Sequence, residues 1–331
     1  MSELRINNIT DRAGSSGPII AGVSTVTSTS HMVMPSGPTE MRGGRGKAIV
    51  FVGATPSTTT LIDAFNTVTA GNAFDFGDAS AARYNNGFGG CASATRGVIA
   101  DGTATEYVIF SSSGGANDFG DHRVVSGSGA AIGHAADGVR GLLAGGYNAP
   151  LNLNTIDFIT IATTGNSSSF GEFDDGSTGG YSPMASPTRA VFARGGQNLN
   201  FINFTSGGKT QIFGDMKGDS RTSHIASCSS STRGIMAGGE APSRVNTITF
   251  ITLATLGNGT DFGDLLAGRN DHDAVSSSTR GFIVAGANPS KTNSIEFVTI
   301  ASTGNGQEFG DLTQARSQPS SCSDVHGGLG D

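Results

Sequence analysis

The sequence predicts an all-β fold: a six-bladed β-propeller closed by its C-terminal strand and preceded by an extended N-terminal arm. One unit recurs along the chain, most clearly at 232–269 and 279–316, and such a period is typical of stacked or radially arranged units. The chain has 51 Gly among 331 residues and 14% charged residues, a composition that favours short strands and tight turns. No segment has apolar residues at helical spacing over ten residues, so little helix is expected.

Each unit contains four strand-length pieces, seen best in the last complete copy. Residues 273–278 (DAVSSS) form a small, alternating piece, whereas 282–285 (FIVA) form a continuous apolar run. Such a run is expected for a strand that is covered on both faces. Residues 294–301 alternate again, and 308–312 (EFGDL) form a short outer strand with a buried Phe. Four short antiparallel strands per unit predict a propeller blade.

Two charged markers keep the same phase in all six units: an arginine before the apolar run and an acid after Phe-Gly. A catalytic pair would occur once, so six copies indicate a structural role, either a repeated ion pair or a turn cap. The arginines are Arg45, Arg96, Arg140, Arg189, Arg233 and Arg280, and the acids are Asp78, Asp121, Glu172, Asp215, Asp264 and Asp311.

The phase of the units predicts how the ring closes. The chain enters the first unit at its second strand, 47–53, and leaves the last unit with an unpaired first strand in 316–327. We expect this C-terminal strand to pair with the blade at 44–78, because closure removes exposed strand edges. The propeller domain is therefore predicted to span 44–331.

Residues 1–43 do not fit the repeat, and two interpretations stay open. They form either a loose surface extension or an attachment arm that adds strands to a partner. The segment 24–35 is rich in Val and Thr and is expected to form one or two strands. The candidate contact residues of the arm are Ile6, Ile9, Arg12, Ile19, Ile20 and Val33.

Composition argues against several classes of partner. The net charge is −7 with no block of Lys or Arg, so a nucleic-acid partner is not expected. No apolar run approaches the roughly 20 residues of a membrane span, and no secretory signal is visible at the N-terminus. Cys91 and Cys228 each lie five residues before a repeated arginine, where we expect them to serve as small apolar residues rather than in disulfides.

Catalytic and metal-binding patterns are also not apparent. The segments 165–172 and 257–264 offer one or two acids each, too few oxygen ligands for calcium. The six histidines lie at unequal offsets from the repeat markers, so they do not predict the converging ligands of a zinc or copper site. No nucleophile elbow, phosphate-binding loop or paired-carboxylate motif is present. We therefore expect no enzymatic activity, no cofactor and no bound metal.

The order of the strands and turns resembles the kelch repeat. Paired glycines follow the apolar run at 144–146 (AGG), 193–196 (ARGG) and 237–239 (AGG). The Phe of Phe-Gly-acid takes the place of the kelch aromatic, and Arg83 and Arg316 match the arginine that precedes the next kelch unit. The resemblance covers about 44–326 and implies a propeller, but the kelch fold serves many functions.

Three features are similar to kelch-type repeat proteins of tailed bacteriophages. They are the T-R-G-hydrophobic-A-G-G run, the strand and turn at 158–166, 250–258 and 297–305, and the leader at 6–22. This resemblance implies a virion protein of a tail fibre, neck or baseplate, with residues 1–43 attached to other virion proteins. The loops at 150–154, 176–187 and 288–293 would then meet a host surface glycan or protein. The alternative is a carbohydrate-binding or carbohydrate-modifying propeller.

Overall fold

The chain divides into two units, and the division falls after Arg45. In the first unit, the strands Glu3–Arg5 and Asn8–Thr10 form an antiparallel pair. The computed structural model describes residues 3–5, 8–10, 46–84, 89–101, 104–123, 132–148, 151–174, 181–194, 198–216, 224–240 and 242–329.

The second unit is a six-bladed β-propeller in which the four main strands of each blade pair antiparallel and in order. From blade 1 to blade 6, the innermost strands are Ser320–Ser323, Cys91–Ala92, Gly133–Ala136, Tyr181–Ala185, Ala226–Ser229 and Asp273–Ser276. The second strands are Lys47–Phe51, Arg96–Asp101, Arg140–Ala144, Arg189–Arg194, Arg233–Ala237 and Arg280–Val284.

The third strands, in the same order, are Ser57–Asn66, Ala104–Ile109, Thr155–Thr160, Asn198–Asn203, Thr247–Thr252 and Ser290–Thr299. The outer strands are Phe74–Arg83, Asn117–Asp121, Ser168–Glu172, Gln211–Asp215, Thr260–Asp264 and Gln307–Arg316. Further short strands are Ala54–Thr55, Tyr147–Asn148, Leu151–Asn152, Gly208–Lys209 and Ala287–Asn288, and a 3-10 turn spans Gly327–Leu329. No helix in the described ranges is long and apolar enough to cross a membrane.

The ring closes as the phase of the repeats predicts. Ser320–Ser323 pairs antiparallel with Lys47–Phe51, with Ser323 opposite Ala48 and Ser320 opposite Phe51. Blade 1 therefore contains both ends of the propeller unit. Its innermost strand comes from the C-terminal end of the sequence and its other strands follow Gly46.

The hydrophobic core consists of six clusters, one at each junction between neighbouring blades. The second strand contributes to two clusters at once: Ile49 packs toward blade 2, whereas Val50 packs toward blade 6. This two-sided burial explains the continuous apolar runs of the second strands.

A β-bulge recurs in every outer strand at the repeated Phe. The ladder between the third and outer strands shifts register there, as between Asp118 and Gly120 in blade 2. The extra residue, Phe119, packs edge-to-face on Tyr107 with ring centroids 6.0 Å apart. Equivalent pairs occur in blades 3 to 6. The bulge thus turns the Phe side chain into the junction with the next blade.

Candidate functional site

The two faces of the propeller differ in how constant their connections are. On one side, here called the turn face, three residues join the innermost strand to the second in blades 2 to 6, at 93–95, 137–139, 186–188, 230–232 and 277–279. Seven residues join the third strand to the outer strand in all six blades, at 67–73, 110–116, 161–167, 204–210, 253–259 and 300–306.

The opposite side, here called the loop face, varies from blade to blade. The connection between the second and third strands ranges from two residues at 102–103 to ten at 145–154. The connection to the next innermost strand ranges from three residues at 317–319 to eleven at 122–132. Variable loops on a rigid scaffold are where proteins most often place binding residues, so the loop face is the candidate functional surface.

Close backbone contacts between neighbouring blades explain the constant turns. The glycine after each repeated Phe touches a glycine in the seven-residue turn of the next blade. A Cβ added to the first glycine would lie 2.0–2.6 Å from that backbone. The pairs are Gly77 with Gly114, Gly120 with Gly165, Gly171 with Gly208, Gly214 with Gly257, Gly263 with Gly304 and Gly310 with Gly71.

The repeated acid lies beside this contact and its main chain joins the blades. The amide of Asp121 donates to Oδ1 of Asn166 in the next blade at 2.9 Å, and the carbonyl of Asp121 accepts from Ser167 at 3.0 Å. The amides of Asp215, Asp264 and Asp311 donate in the same way to Asn258, Asn305 and Asn72. The Gly-Asn pair in these turns is therefore an interblade cap.

The repeated arginines make a different interblade contact. Arg96 donates to the carbonyl of Ile161 in the next blade at 3.0 Å, and its guanidinium lies 4.2 Å from the ring centroid of Tyr107. The side chains of the other described copies donate likewise: Arg140 to Phe204, Arg189 to Leu253, Arg233 to Ile300 and Arg280 to Val68.

These contacts bear on the two structural roles that the sequence left open for the markers, a repeated ion pair or a turn cap. In the described blades, none of the ion pairs joins a repeated arginine to a repeated acid, because the guanidinium instead reaches carbonyl groups of the next blade's turn. Arg45 lies outside the described residues. In blade 1 the equivalent position is Lys47, whose Nζ donates to the carbonyl of Phe110 at 2.6 Å.

Ion pairs do cross four junctions, but they use other residues. Arg316 binds Asp63 at 2.9 Å and Arg123 binds Asp157 at 2.7 Å. Arg83 binds Glu106 and Arg269 binds Glu296. Burial lowers the pKa of Arg269 to about 10. All four acids occupy the same position of the third strand, where blades 4 and 5 have Asn200 and Thr249.

Sequence reasoning found Arg83 and Arg316 but not their acidic partners. A signal was available, because a lone acid in the middle of an apolar strand requires a buried counter-charge. The pairs are part of the scaffold that supports the loop face.

The C-terminal turn closes the central channel at the turn face. Gly327–Leu329 lies among the innermost strands, with Gly328 directly against the carbonyl of Ala136. Nε2 of His326 lies 2.7 Å from the carbonyl oxygen of Ala92. The channel retains a cavity of about 50 Å³ lined by innermost-strand residues such as Ser227 and Ser276. That volume holds a few water molecules, since each needs about 10–15 Å³.

One carboxyl group is buried where the channel approaches the loop face. Asp273 begins the innermost strand of blade 6 and is 1% exposed. The hydroxyl of Ser321 donates to its Oδ2 at 2.6 Å. Burial raises the pKa of Asp273 to about 7, although hydrogen bonds from Ser321 and nearby amides act in the opposite direction. This carboxyl group therefore titrates near neutral pH.

A group of polar residues borders the channel on the loop face at blades 5, 6 and 1. We call it the mouth cluster, and it comprises His224, Glu240, Arg244, Asn270, Asp271 and Gln318. Nδ1 of His224 lies 2.6 Å from Oδ1 of Asp271. The hydrogen bond that His224 donates to Asp271 raises the pKa of His224. Burial alone would raise the pKa of Asp271, but the hydrogen bond and charge of His224 lower it overall.

The predicted loops divide between the faces. The hairpin around 288–290 and residues 151–154 lie on the loop face as expected. The range 176–187 was wrongly assigned to a single loop, because it contains the innermost strand Tyr181–Ala185 and ends in a turn-face connection.

The structure describes some of the other residues that the sequence singled out and not others. Ile9 lies in the strand Asn8–Thr10, whereas Ile6, Arg12, Ile19, Ile20, Val33 and the segment 24–35 lie outside the described residues. Cys91, Cys228 and Cys322 are buried free thiols, which agrees with the apolar role predicted for the first two. Within the described ranges, no group of three or more His, Cys, Asp or Glu is placed to hold a metal ion.

No family model matches the chain, and no curated protein matches it either. The strand pairing shows an all-β, six-bladed propeller, and the kelch likeness is a resemblance in sequence.

Proposed function

We propose that this chain is a non-enzymatic structural or adhesion protein of a bacteriophage virion, in a kelch-type appendage such as a tail fibre, neck or baseplate. The observation that supports this most is the contrast between the two faces. The turn face has connections of constant length held by interblade contacts, whereas the loop face combines varied loops with a polar mouth. Such a design suits a stable scaffold that offers one changeable surface.

The position of Gly46 supports attachment through the preceding segment. Gly46 lies on the turn face, where its carbonyl accepts from Thr67 and its amide donates to Asp324 at 2.8 Å. Gly46, the first described residue of the propeller unit, thus lies opposite the loop face. In this proposal residues 1–43 bind other virion proteins, and the loops bind a host surface glycan or protein. Binding of nucleic acid and insertion into a membrane are not part of the proposal.

The test is the composition of particles produced from the genome that encodes this chain. We expect mass spectrometry of purified particles to detect the chain, and gold-labelled antibody against it to mark the particle surface. An Ile9→Asp variant of the full chain should be lost from particles while remaining folded in the lysate. Ser302→Asp, on the turn face, is the matched control. Particles that lack the chain would overturn the proposal.

A carbohydrate-binding or carbohydrate-modifying propeller is the second candidate, and the mouth cluster favours its binding form. The cluster places a histidine, a carboxylate and amide groups together on the loop face. These are groups that hydrogen-bond to hydroxyl-rich ligands.

A further inference from the structure

Three neighbouring blades place a polar side chain where the backbone favours glycine. His224, Asp271 and Gln318 each lie two residues before an innermost strand, with φ of 57°, 53° and 56°. Blade 2 has Gly89 at this position, with φ of 76°. The left-handed conformation is unfavourable for residues with a Cβ, and such outliers concentrate at functional sites. Glycine would be the simpler choice for the fold alone.

The three residues are adjacent at the channel mouth. Beyond the contact of His224 with Asp271, the amide of Gln318 donates to the carbonyl of Asp271 at 2.6 Å. The side chains of His224 and Asp271 are 32% and 22% exposed. Among the described residues, Nε2 of His224 and Oδ2 of Asp271 have no hydrogen-bond partner, so both atoms remain available to a ligand.

The remaining members of the mouth cluster hold the adjacent backbone. Nε of Arg244 donates to Oδ1 of Asn270 at 2.8 Å, and Nδ2 of Asn270 donates to Oε1 of Glu240. Asn270 is 5% exposed and directly precedes Asp271. A site whose supporting groups are already bonded loses little entropy when a ligand binds.

The chemistry of the mouth cluster favours a saccharide over a protein surface. Of the large apolar side chains that are exposed in the described residues, only Leu266 lies on the loop-face side. Phe74, Ile109, Val139, Ile212 and Leu256 lie on the turn face or the outer strands. Protein interfaces have an apolar, aromatic-rich centre, which the mouth cluster lacks. Asp271 is paired with His224, and Arg244 and Glu240 each bond to Asn270. The cluster carries as many acidic as basic groups, so it suits a neutral ligand with many hydroxyl groups.

We propose that the mouth cluster is a saccharide-binding site, with Asp271 accepting a hydrogen bond from a sugar hydroxyl and His224 and Gln318 bonding further hydroxyl groups. The inference rests on the proposed function, in which the loop face meets the host, and it names the ligand class. Hydrogen bonds without a stacked aromatic ring give modest affinity at one site. Several copies of the chain on one particle would raise the overall affinity through avidity.

The test uses the full chain on an array of bacterial surface polysaccharides and oligosaccharides. We expect saturable binding of at least one saccharide, reduced at least tenfold by His224→Gly and by Asp271→Asn. Both variants suit the left-handed backbone, so unfolding should not explain the loss, and thermal unfolding checks this directly. Asp261→Asn, an exposed acid of the outer strand in blade 5, is the matched control and should bind normally.

Two outcomes would overturn the inference: no saccharide bound by the full chain, or equal binding by the wild type and both mouth variants. Either failure is distinguishable from failure of the proposed function. A chain that is present in particles but binds no saccharide leaves the virion role intact and removes only the saccharide site.

Discussion

Arg316 binds Asp63 across the junction that closes the ring, at 2.9 Å and with both side chains fully buried. The two residues are 253 positions apart in the sequence. Burial lowers the pKa of Arg316, while the charge of Asp63 raises it. Nη2 of Arg316 also donates to the carbonyl of Val50 in the second strand of blade 1. One side chain from the end of blade 6 is thus fixed between two strands of blade 1.

Replacing Arg316 with Met should destabilise the propeller by about 3–5 kcal/mol, because it leaves the carboxylate of Asp63 buried without its counter-charge. The free energy of unfolding, measured in urea, checks this. Arg316→Met combined with Asp63→Leu should recover much of the loss. The exposed pair of Lys209 with Glu172 is the control, and Lys209→Met should cost at most about 1 kcal/mol. Equal effects of the two single variants would contradict the assignment.

The glycine contacts predict a strong asymmetry between two touching residues. A Cβ on Gly263, where φ is 147°, would lie 2.5 Å from the carbonyl oxygen of Gly304, whereas a Cβ on Gly304 would meet nothing within 4 Å. Gly263→Ala should therefore cost about 2–4 kcal/mol from strain and overlap together. Gly304→Ala should change the stability by less than about 1 kcal/mol. Thermal unfolding of both variants measures the two losses of stability. A larger loss for Gly304→Ala than for Gly263→Ala would contradict the contact.

The buried thiols predict a compensating pair of substitutions. A Cβ on Gly281 would lie 2.7 Å from Sγ of Cys228, so Gly281→Ala should destabilise the junction of blades 5 and 6. Adding Cys228→Ala should restore much of the stability, because the core between blades 3 and 4 contains Ala135 and Ala190 at the same two positions. A double-mutant cycle measures the coupling, and strict additivity of the two changes would refute the contact.

The thiols should also be unreactive in the folded protein. Burial raises the pKa of Cys228 to about 12, and it raises the pKa of Cys91 and Cys322 as well. Because the thiolate is the reactive form, we expect no alkylation of the native protein and alkylation of all three after denaturation. Rapid labelling of the native protein would contradict their burial.

Because the pKa of Asp273 is raised in the folded protein, we expect the free energy of unfolding to fall as the pH rises toward 7. Its pKa is about 7 when folded and about 3.8 in the unfolded chain, so between these values the folded state binds more protons. The free energy of unfolding should fall by up to about 1.4 kcal/mol for each pH unit in this window. Asp273→Asn removes this contribution, and subtracting its pH profile from that of the wild type cancels the other titrating groups. A difference between the two profiles that does not change with pH would show that Asp273 is ionised over the whole pH window.

The sequence was sufficient to predict the blades but not the contacts between neighbouring blades. Period and apolar pattern predict the second strand at 282–285 and the closing strand near the C-terminus, because strand identity is local. The partner of Arg316 is not local: Asp63 reaches it only through ring closure. The same limit applies to Arg280 and Asp311, for which the sequence left an ion pair or a turn cap open. Each contacts a neighbouring blade rather than the other residue.

The mouth cluster lay beyond sequence reasoning for a different reason. His224, Asp271 and Gln318 are unlike in type, so no motif connects them. Their common feature is a left-handed backbone two residues before an innermost strand, which becomes visible only when the strand boundaries are known.

The proposed function makes the loop face the recognition surface and the turn face the scaffold. The most direct measurement is competition, in which purified full chain is added to host cells before the particles and the rate of adsorption is measured. We predict that the wild-type chain slows adsorption, that Asn288→Arg with Ser290→Arg on the loop face abolishes this effect, and that Ser302→Arg with Thr303→Arg on the turn face of the same blade preserves it. Equal inhibition by both variants, or loss of inhibition only in the turn-face variant, would contradict the claim.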